Sequence, residues 1–283
     1  MQDTITTIYC LCDDLLRAMN HQDDGQTRVS TAQVMTVPLV AASFFGGNNA
    51  LARRFLQCHG YFSHSLSSSR FNRRLHAISA SVWRTVFALL GQVFARCNAE
   101  QVYVVDSLPV PVCDNMRIGR CRLYPPPGEK NTSTHKMRGY IASKRRYFYG
   151  LRVPLLVTGR GEPVEFVLAQ GGEADLVNFK TLPLDLEPHS RIYADKAYGS
   201  KPEELLLQEA GELEFLPQRR DNAKTPRPAW ISFLADPARK RIETTFSQIT
   251  GLFPRHIKAV TKKGFELKIV CFLLAFSIQC LDK

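Results

Sequence analysis

No Cys-x-x-Cys pair and no Cys/His zinc spacing occurs among the eight cysteines, which are scattered from Cys10 to Cys280. That excludes a zinc finger or ribbon as the organising feature; Cys10-Leu11-Cys12 and Cys58-His59 are the nearest approaches. The cysteines read as small buried thiols in a reducing compartment. Long apolar runs are missing too. The longest, Ile269 to Ile278, is about half the roughly 20 residues that a spanning helix needs, so it reads as a buried C-terminal helix. Met1-Gln2-Asp3-Thr4 lacks the basic start and apolar stretch of a signal peptide, which points to the cytoplasm. No internal repeat appears. Acidic residues are few: 26 Asp and Glu against 37 Lys and Arg leave a net charge of +11. Such a balance points to a polyanionic partner, and with no membrane segment that partner is nucleic acid.

What is present divides in two. With 45% hydrophobic and 10% aromatic residues, the 283-residue chain can build one large core, or one with a smaller appendage. Residues 1–98 read as helical. Ile8, Leu11, Leu15, Leu16 and Met19 recur at helical spacing, and Ser30 or Thr31 can cap a second helix in which Pro38 fits poorly. Gly46-Gly47-Asn48-Asn49 marks a stop and restart before a third helix. Ser67 to Ser69 can cap a short basic helix, and Val82 to Phe94 forms a long apolar one. Short helices with tight turns, one of them rich in Arg, suit a DNA-binding domain and equally a plain bundle with solvated arginines.

From about residue 99 the texture changes to strands. Val102 to Asp106 reads as a buried strand, and Tyr147 to Thr158 with Pro163 to Ala169 as a hairpin around Gly159-Arg160-Gly161. Ala174 to Leu182 reads as a helix, Arg191 to Asp195 as a strand and Pro202 to Ala210 as a helix. Leu213 to Leu216 reads as a strand, followed by helices from Pro237, capped by Asp236, and from Gly264. This order implies a mixed α/β sheet flanked by helices over 99–283, behind an all-helical domain over 1–98. Pro109 to about His135 reads as a long loop, and 217–230 as a basic linker whose Arg219, Arg220, Lys224 and Arg227 are candidate phosphate contacts.

Three carboxylates stand out: Asp106 and Asp195, each closing an apolar run, and Glu243 beside Arg239, Lys240 and Arg241. Carboxylates from two strand ends and a helix suit a two-metal site for phosphoryl transfer, since magnesium and manganese prefer oxygen ligands. Taken singly, each has a plainer reading, as a turn-former or an i, i+4 ion pair. Glu165 and Asp175 are rival ligands; Asp175 is accounted for by N-capping. Lys144, Arg145 and Arg146 precede Tyr147, Phe148 and Tyr149, which suits strand contact and base stacking, or a hairpin with a basic edge. Tyr198 either stacks on a displaced base or packs the strand–helix turn.

The stretches Val105 to Cys113, Ser143 to Gly150, Asp195-Lys196-Ala197-Tyr198, Arg239 to Gln248 and Phe253 to Val260 resemble, in this order, DDE-type insertion-sequence transposases. The resemblance is nearest to the bacterial insertion-sequence family numbered nine-eighty-two. It implies an RNase H-like catalytic domain in which Asp106, Asp195 and Glu243 hold two divalent ions, magnesium or alternatively manganese. It also implies double-stranded DNA as partner, as element terminal inverted repeats and target. A homodimer on DNA and a bacterial, nucleoid-associated location are implied as well. Candidate DNA contacts are Lys144, Arg145, Arg146, Lys196, Tyr198, Arg239, Arg241, His256 and Lys258. Asp236 and Thr250 stand where the wider group carries Tyr and Lys, and Pro154 where related chains carry His. Two alternatives remain: an RNase H-like nuclease that does not join strands, and a catalytically silent DNA-binding derivative.

Overall fold

The computed structural model describes residues 1–125, 136–141, 144–219 and 229–281. Ser143, Arg220, Lys224, Arg227 and residues 126–135 of the expected loop lie outside them. The elements run α1 (Gln2–Ala18), α2 (Thr31–Phe44), α3 (Asn49–Cys58), α4 (Ser68–Ala77), α5 (Ala80–Arg96), β1 (Val102–Cys113), β2 (Arg138–Ile141), β3 (Arg146–Thr158), β4 (Pro163–Phe166), β5 (Ala169–Gln170), α6 (Asp175–Phe179), β6 (Arg191–Ala194), α7 (Lys201–Gly211), β7 (Glu214–Pro217), α8 (Ala229–Leu252) and α9 (Lys262–Cys280).

Two compact units result, Met1–Leu90 with Gln248–Lys283, and Gly91–Ser247. The boundary expected at 98/99 therefore moves, and the C-terminal helix joins the N-terminal helices. The reason is hydrophobic. Helix α9 is apolar nearly all round, with Ile269, Phe272, Leu273, Leu274 and Ile278 buried, and α2 is equally so, from Val34 to Ala42. Such helices need partners on several sides.

In the first unit, α1 buries Ile5, Ile8, Cys12, Leu15 and Leu16, while Met19 is exposed. Ser30 and Gln33 form a reciprocal capping box at the start of α2, which runs through Pro38 to Phe44. Gly47, at φ +76°, closes the turn into α3; a Cβ there would sit 2.9 Å from the Phe272 ring. Of the eight cysteines only Cys12, Cys121, Cys271 and Cys280 are buried, and Cys10, Cys58 and Cys97 are exposed, contrary to the expectation of mostly buried thiols. No single helix is long and apolar enough to cross a membrane among the described residues.

Asp23 ties this unit together. Its carboxylate accepts from the Thr31 backbone N–H (2.9 Å) and hydroxyl (2.5 Å), and pairs with Arg74 of α4 at 3.2 Å. Arg74 also donates to the Val29 carbonyl. Burial pushes the Asp23 carboxyl up, but the Thr31 bonds and Arg74 outweigh it and hold it below its ordinary value of 3.8. A carboxyl lowered by folding contributes stability above its unfolded pKa, and that contribution is lost as pH falls through the folded value. Asp23→Ala is expected to cost about 1–2 kcal/mol at neutral pH, the worth of a helix-start anchor. Wild type and variant should converge in thermal melts well below pH 3.8.

The second unit is built on one seven-stranded sheet. Its main path is β2-β3-β1-β6-β7, with β4 and β5 also paired to β3. Strand β1 lies antiparallel to β3, from Tyr103 opposite Thr158 to Cys113 opposite Tyr149, and parallel to β6; β6 and β7 are parallel. This is the expected mixed α/β sheet flanked by helices. Strand β1 is longer than expected, because β3 supplies a full antiparallel partner beyond Asp106. Pro109 and Pro111 are thus strand residues, not loop. The chains come close there: a Cβ on Gly150 would lie 2.2 Å from the Val110 carbonyl oxygen.

Helix α8 also starts earlier than expected. Pro237 lies inside it, so Asp236 is no N-cap; its carboxylate accepts from Gln218 Nε2 at 3.4 Å instead. Ala235, Ala238, Ile242, Thr245 and Ile249 form one buried stripe that runs past the proline.

Candidate active site

The site lies where the parallel ladder stops. The last β1–β6 pair is Val105 opposite Ala194, so the next residues, Asp106 and Asp195, face each other across the sheet's central seam. Asp106 remains within β1, opposite Leu155 of β3. Asp195 directly follows β6 and caps the short 3-10 turn Lys196–Tyr198, accepting from the Lys196 backbone N–H at 2.7 Å. The Ser107 backbone N–H donates to Asp106 Oδ1, also at 2.7 Å.

Helix α8 brings the third carboxylate. Thr245 donates to the Gly161 carbonyl at 3.0 Å, in the β3–β4 turn, where Gly161 has φ +91° and no room for a Cβ. Arg239 spans the other side, bonded to Gln218 at 3.0 Å and 3.5 Å from Asp195. With α8 so held, Glu243 joins Val104, Val105, Asp106, Asp195, Arg239 and Ile242 around one narrow cleft of about 10 Å³, room for about one water. Arg239 and Glu243 lie on the same side because they are four residues apart on a helix.

Electrostatics set Asp106 apart. Burial, with the charges of Asp175 and Asp195, pushes its carboxyl up to about 6, against the Ser107 N–H and Arg239, which pull it down. Two acids facing each other with too little positive charge present an electrostatic demand for a cation, and hard oxygen donors fit a divalent one. Among the described residues no group of three or more His, Cys, Asp or Glu is close enough to chelate an ion. The donor type and the charge fit a divalent metal; Arg239 is the cation now beside Asp195.

The other predicted contacts separate. Lys196 and Lys144, Arg145 and Arg146 are exposed, the last three at the connection into β3. Of the aromatics that follow, only Tyr147 is open to solvent, packed on Tyr140 and under Arg138; Phe148 and Tyr149 are buried. Arg241 points away from the cleft and packs by Gly161. His256 and Lys258 belong to the first unit. Tyr198 is completely buried, edge-on to Phe179, with its hydroxyl 2.9 Å from Ser107 Oγ. Packing is thus its role, and no base can stack on it.

Asp175 was missed. It is the first residue of α6 and caps nothing. Instead it pairs with Arg152 of β3 at 2.6 Å, with both side chains largely buried, close enough to raise the Asp106 pKa. The sequence signal was Arg152 in an apolar strand, a buried charge that needs a partner.

Facing carboxylates over the end of a mixed sheet are the kind of donor set that metal-dependent phosphoryl-transfer sites use. The profile of the transposase DDE domain family matches residues 96–254, more than half of the chain, and the chain belongs to that family. It is accordingly a DNA transposase, an enzyme of a class that works with divalent metal ions. A cryo-EM structure of the piggyBac transposase synaptic complex with hairpin DNA is similar over 98% of this chain and 71% of that chain, at 11% identity and a TM-score of 0.45. No curated protein matches.

Proposed function

We propose that Asp106, Asp195 and Glu243 are the catalytic carboxylates of a transposase that cleaves DNA at insertion-sequence ends and joins them to target DNA. The observation that carries this is the single cleft into which the β1–β6 seam and α8 deliver all three. The three would hold two divalent ions, magnesium or manganese, which when bound activate the attacking oxygen and stabilise the leaving one. The chain's own residues do the rest. Asp106 and Asp195 present their carboxylates from rigid strands, each fixed by an adjacent backbone N–H. Arg239 neutralises charge at the cleft edge, where a phosphate approaches. Water attacks the phosphodiester and frees a 3′ hydroxyl, whose oxygen then attacks a target phosphate and displaces its bridging oxygen.

The reading extends to terminal inverted repeats as the DNA bound and to a homodimer that pairs two ends. It extends also to the bacterial cytoplasm near the nucleoid, and to the nine-eighty-two group as the nearest relatives. Lys144, Arg145, Arg146 and Lys196, all exposed, fit the role of phosphate contacts. An assay with labelled element ends and magnesium tests it. Strand-transfer products are expected. Cleavage without joining would favour the plain nuclease, and no carboxylate-dependent magnesium uptake in calorimetry would favour a silent binder.

A further inference from the structure

The first unit contains a cavity that the cleft chemistry leaves unused. It measures about 660 Å³, within the ~300–1,000 Å³ of pockets that enclose one small ligand. The α2–α3 turn, α4, the segment leading into α9 and α9 itself line it, all within that unit. Its apolar floor is half-buried, with Phe45, Pro254 and Leu267. Its basic side chains are Arg53, Lys258 and Lys268, with the imidazoles of His76 and His256 beside them, and no Asp or Glu lines it.

Several of these cations are already fixed. Arg53 donates to the Leu66 carbonyl (2.6 Å) and Ser68 Oγ (2.8 Å) with its guanidinium over the Phe71 ring. Lys268 donates to the Lys258 carbonyl at 2.6 Å, and Lys263 to the His76 carbonyl at 2.7 Å. Burial and the neighbouring Lys263 push His76 down; burial and Lys258 do the same to Lys268. Basic side chains over an apolar floor, with no carboxylate lining the cavity, suit an anion that also carries an apolar face.

We propose that this cavity takes one unpaired DNA nucleotide, with its phosphate among Lys258, His256 and Lys268 and its base against the half-buried Phe45 and Pro254. Duplex backbone alone would need the cations but not the apolar floor, whereas an unstacked nucleotide uses both. The proposal rests on DNA being the substrate.

Fluorescence anisotropy on the full chain without divalent metal tests it, using a blunt duplex and the same duplex with a short single-stranded overhang. Wild type is expected to bind the overhang probe roughly tenfold more tightly, the effect of about one stacked base. Ala50→Trp, an exposed position on the cavity wall, should abolish that preference and leave blunt-duplex affinity unchanged. Lys258→Gln should lower the salt dependence of overhang binding by about 0.7 in log–log slope, one phosphate contact on a single strand. Circular dichroism melts confirm that both variants fold. Equal affinity for the two probes, or a preference that survives Ala50→Trp, overturns the nucleotide pocket while leaving the DNA reading intact. Absence of binding to either probe overturns both, and tighter binding to anionic lipid vesicles than to either DNA overturns the choice of ligand.

Discussion

Replacing Asp106 with Asn is expected to lower strand cleavage about 10³-fold or more, the scale of losing a group that directly stabilises transition-state charge. Binding of element-end DNA should be largely intact, since the proposed phosphate contacts are basic side chains and not this carboxylate. The variant should also be more stable. Burial, together with Asp175 and Asp195, holds the Asp106 carboxyl at about 6, above its ordinary 3.8. The folded chain thus holds that proton more tightly than the unfolded chain does. Ionising it costs the metal-free fold in full above about pH 6 and nothing below about pH 4. Asp106→Asn should therefore raise the melting temperature of metal-free protein at neutral pH, with the gain gone near pH 4. Loss of cleavage with a gain of stability separates a chemical role from misfolding. Cleavage retained by the variant would overturn the assignment of Asp106.

Breaking the Arg152–Asp175 pair is expected to have the largest effect on stability. The two side chains are 15% and 17% exposed and meet at 2.6 Å, and Arg152 also donates to the Tyr140 carbonyl at 3.2 Å. Asp175→Ala leaves a guanidinium nearly buried without its counter-charge, a loss of about 3 kcal/mol. For a chain of this size that is about 6–12 °C in melting temperature. Removing both charges, as Arg152→Met with Asp175→Leu, should recover most of the loss, because a buried ion pair and a packed apolar pair of similar volume are close in free energy. Calorimetry on the two single variants and the double variant measures the coupling. Additive losses would mean that the pair does not act as a unit.

The two aspartates were legible because each closes an apolar run, and a run of that kind in a buried parallel strand has only its end to offer to solvent. The register then did what spacing could not: it set Asp106 and Asp195 directly across one seam. Glu243 was legible as a lone acid among basic neighbours and through its motif. Its basic neighbours looked alike in sequence, yet helical geometry turned Arg239 into the cleft and Arg241 onto the β3–β4 turn. Tyr198 shows the same limit, since only tertiary packing decides whether a ring faces solvent or core. Asp175 was read locally, as a cap, when its partner lay 23 residues back on strand β3.

By itself the sequence determined the polyanionic partner, the change from helices to a mixed sheet near residue 99, helix starts near Ser30 and Ser67, and the three acids as candidates. These follow from charge, periodicity and local hydrogen bonding, which act over a few residues. Tertiary structure decided how far β1 runs, where α8 begins, which unit owns α9 and which charges share the cleft. Those depend on what each segment packs against. An apolar helix such as α9 carries no mark of its partner until α2 offers an equally apolar surface.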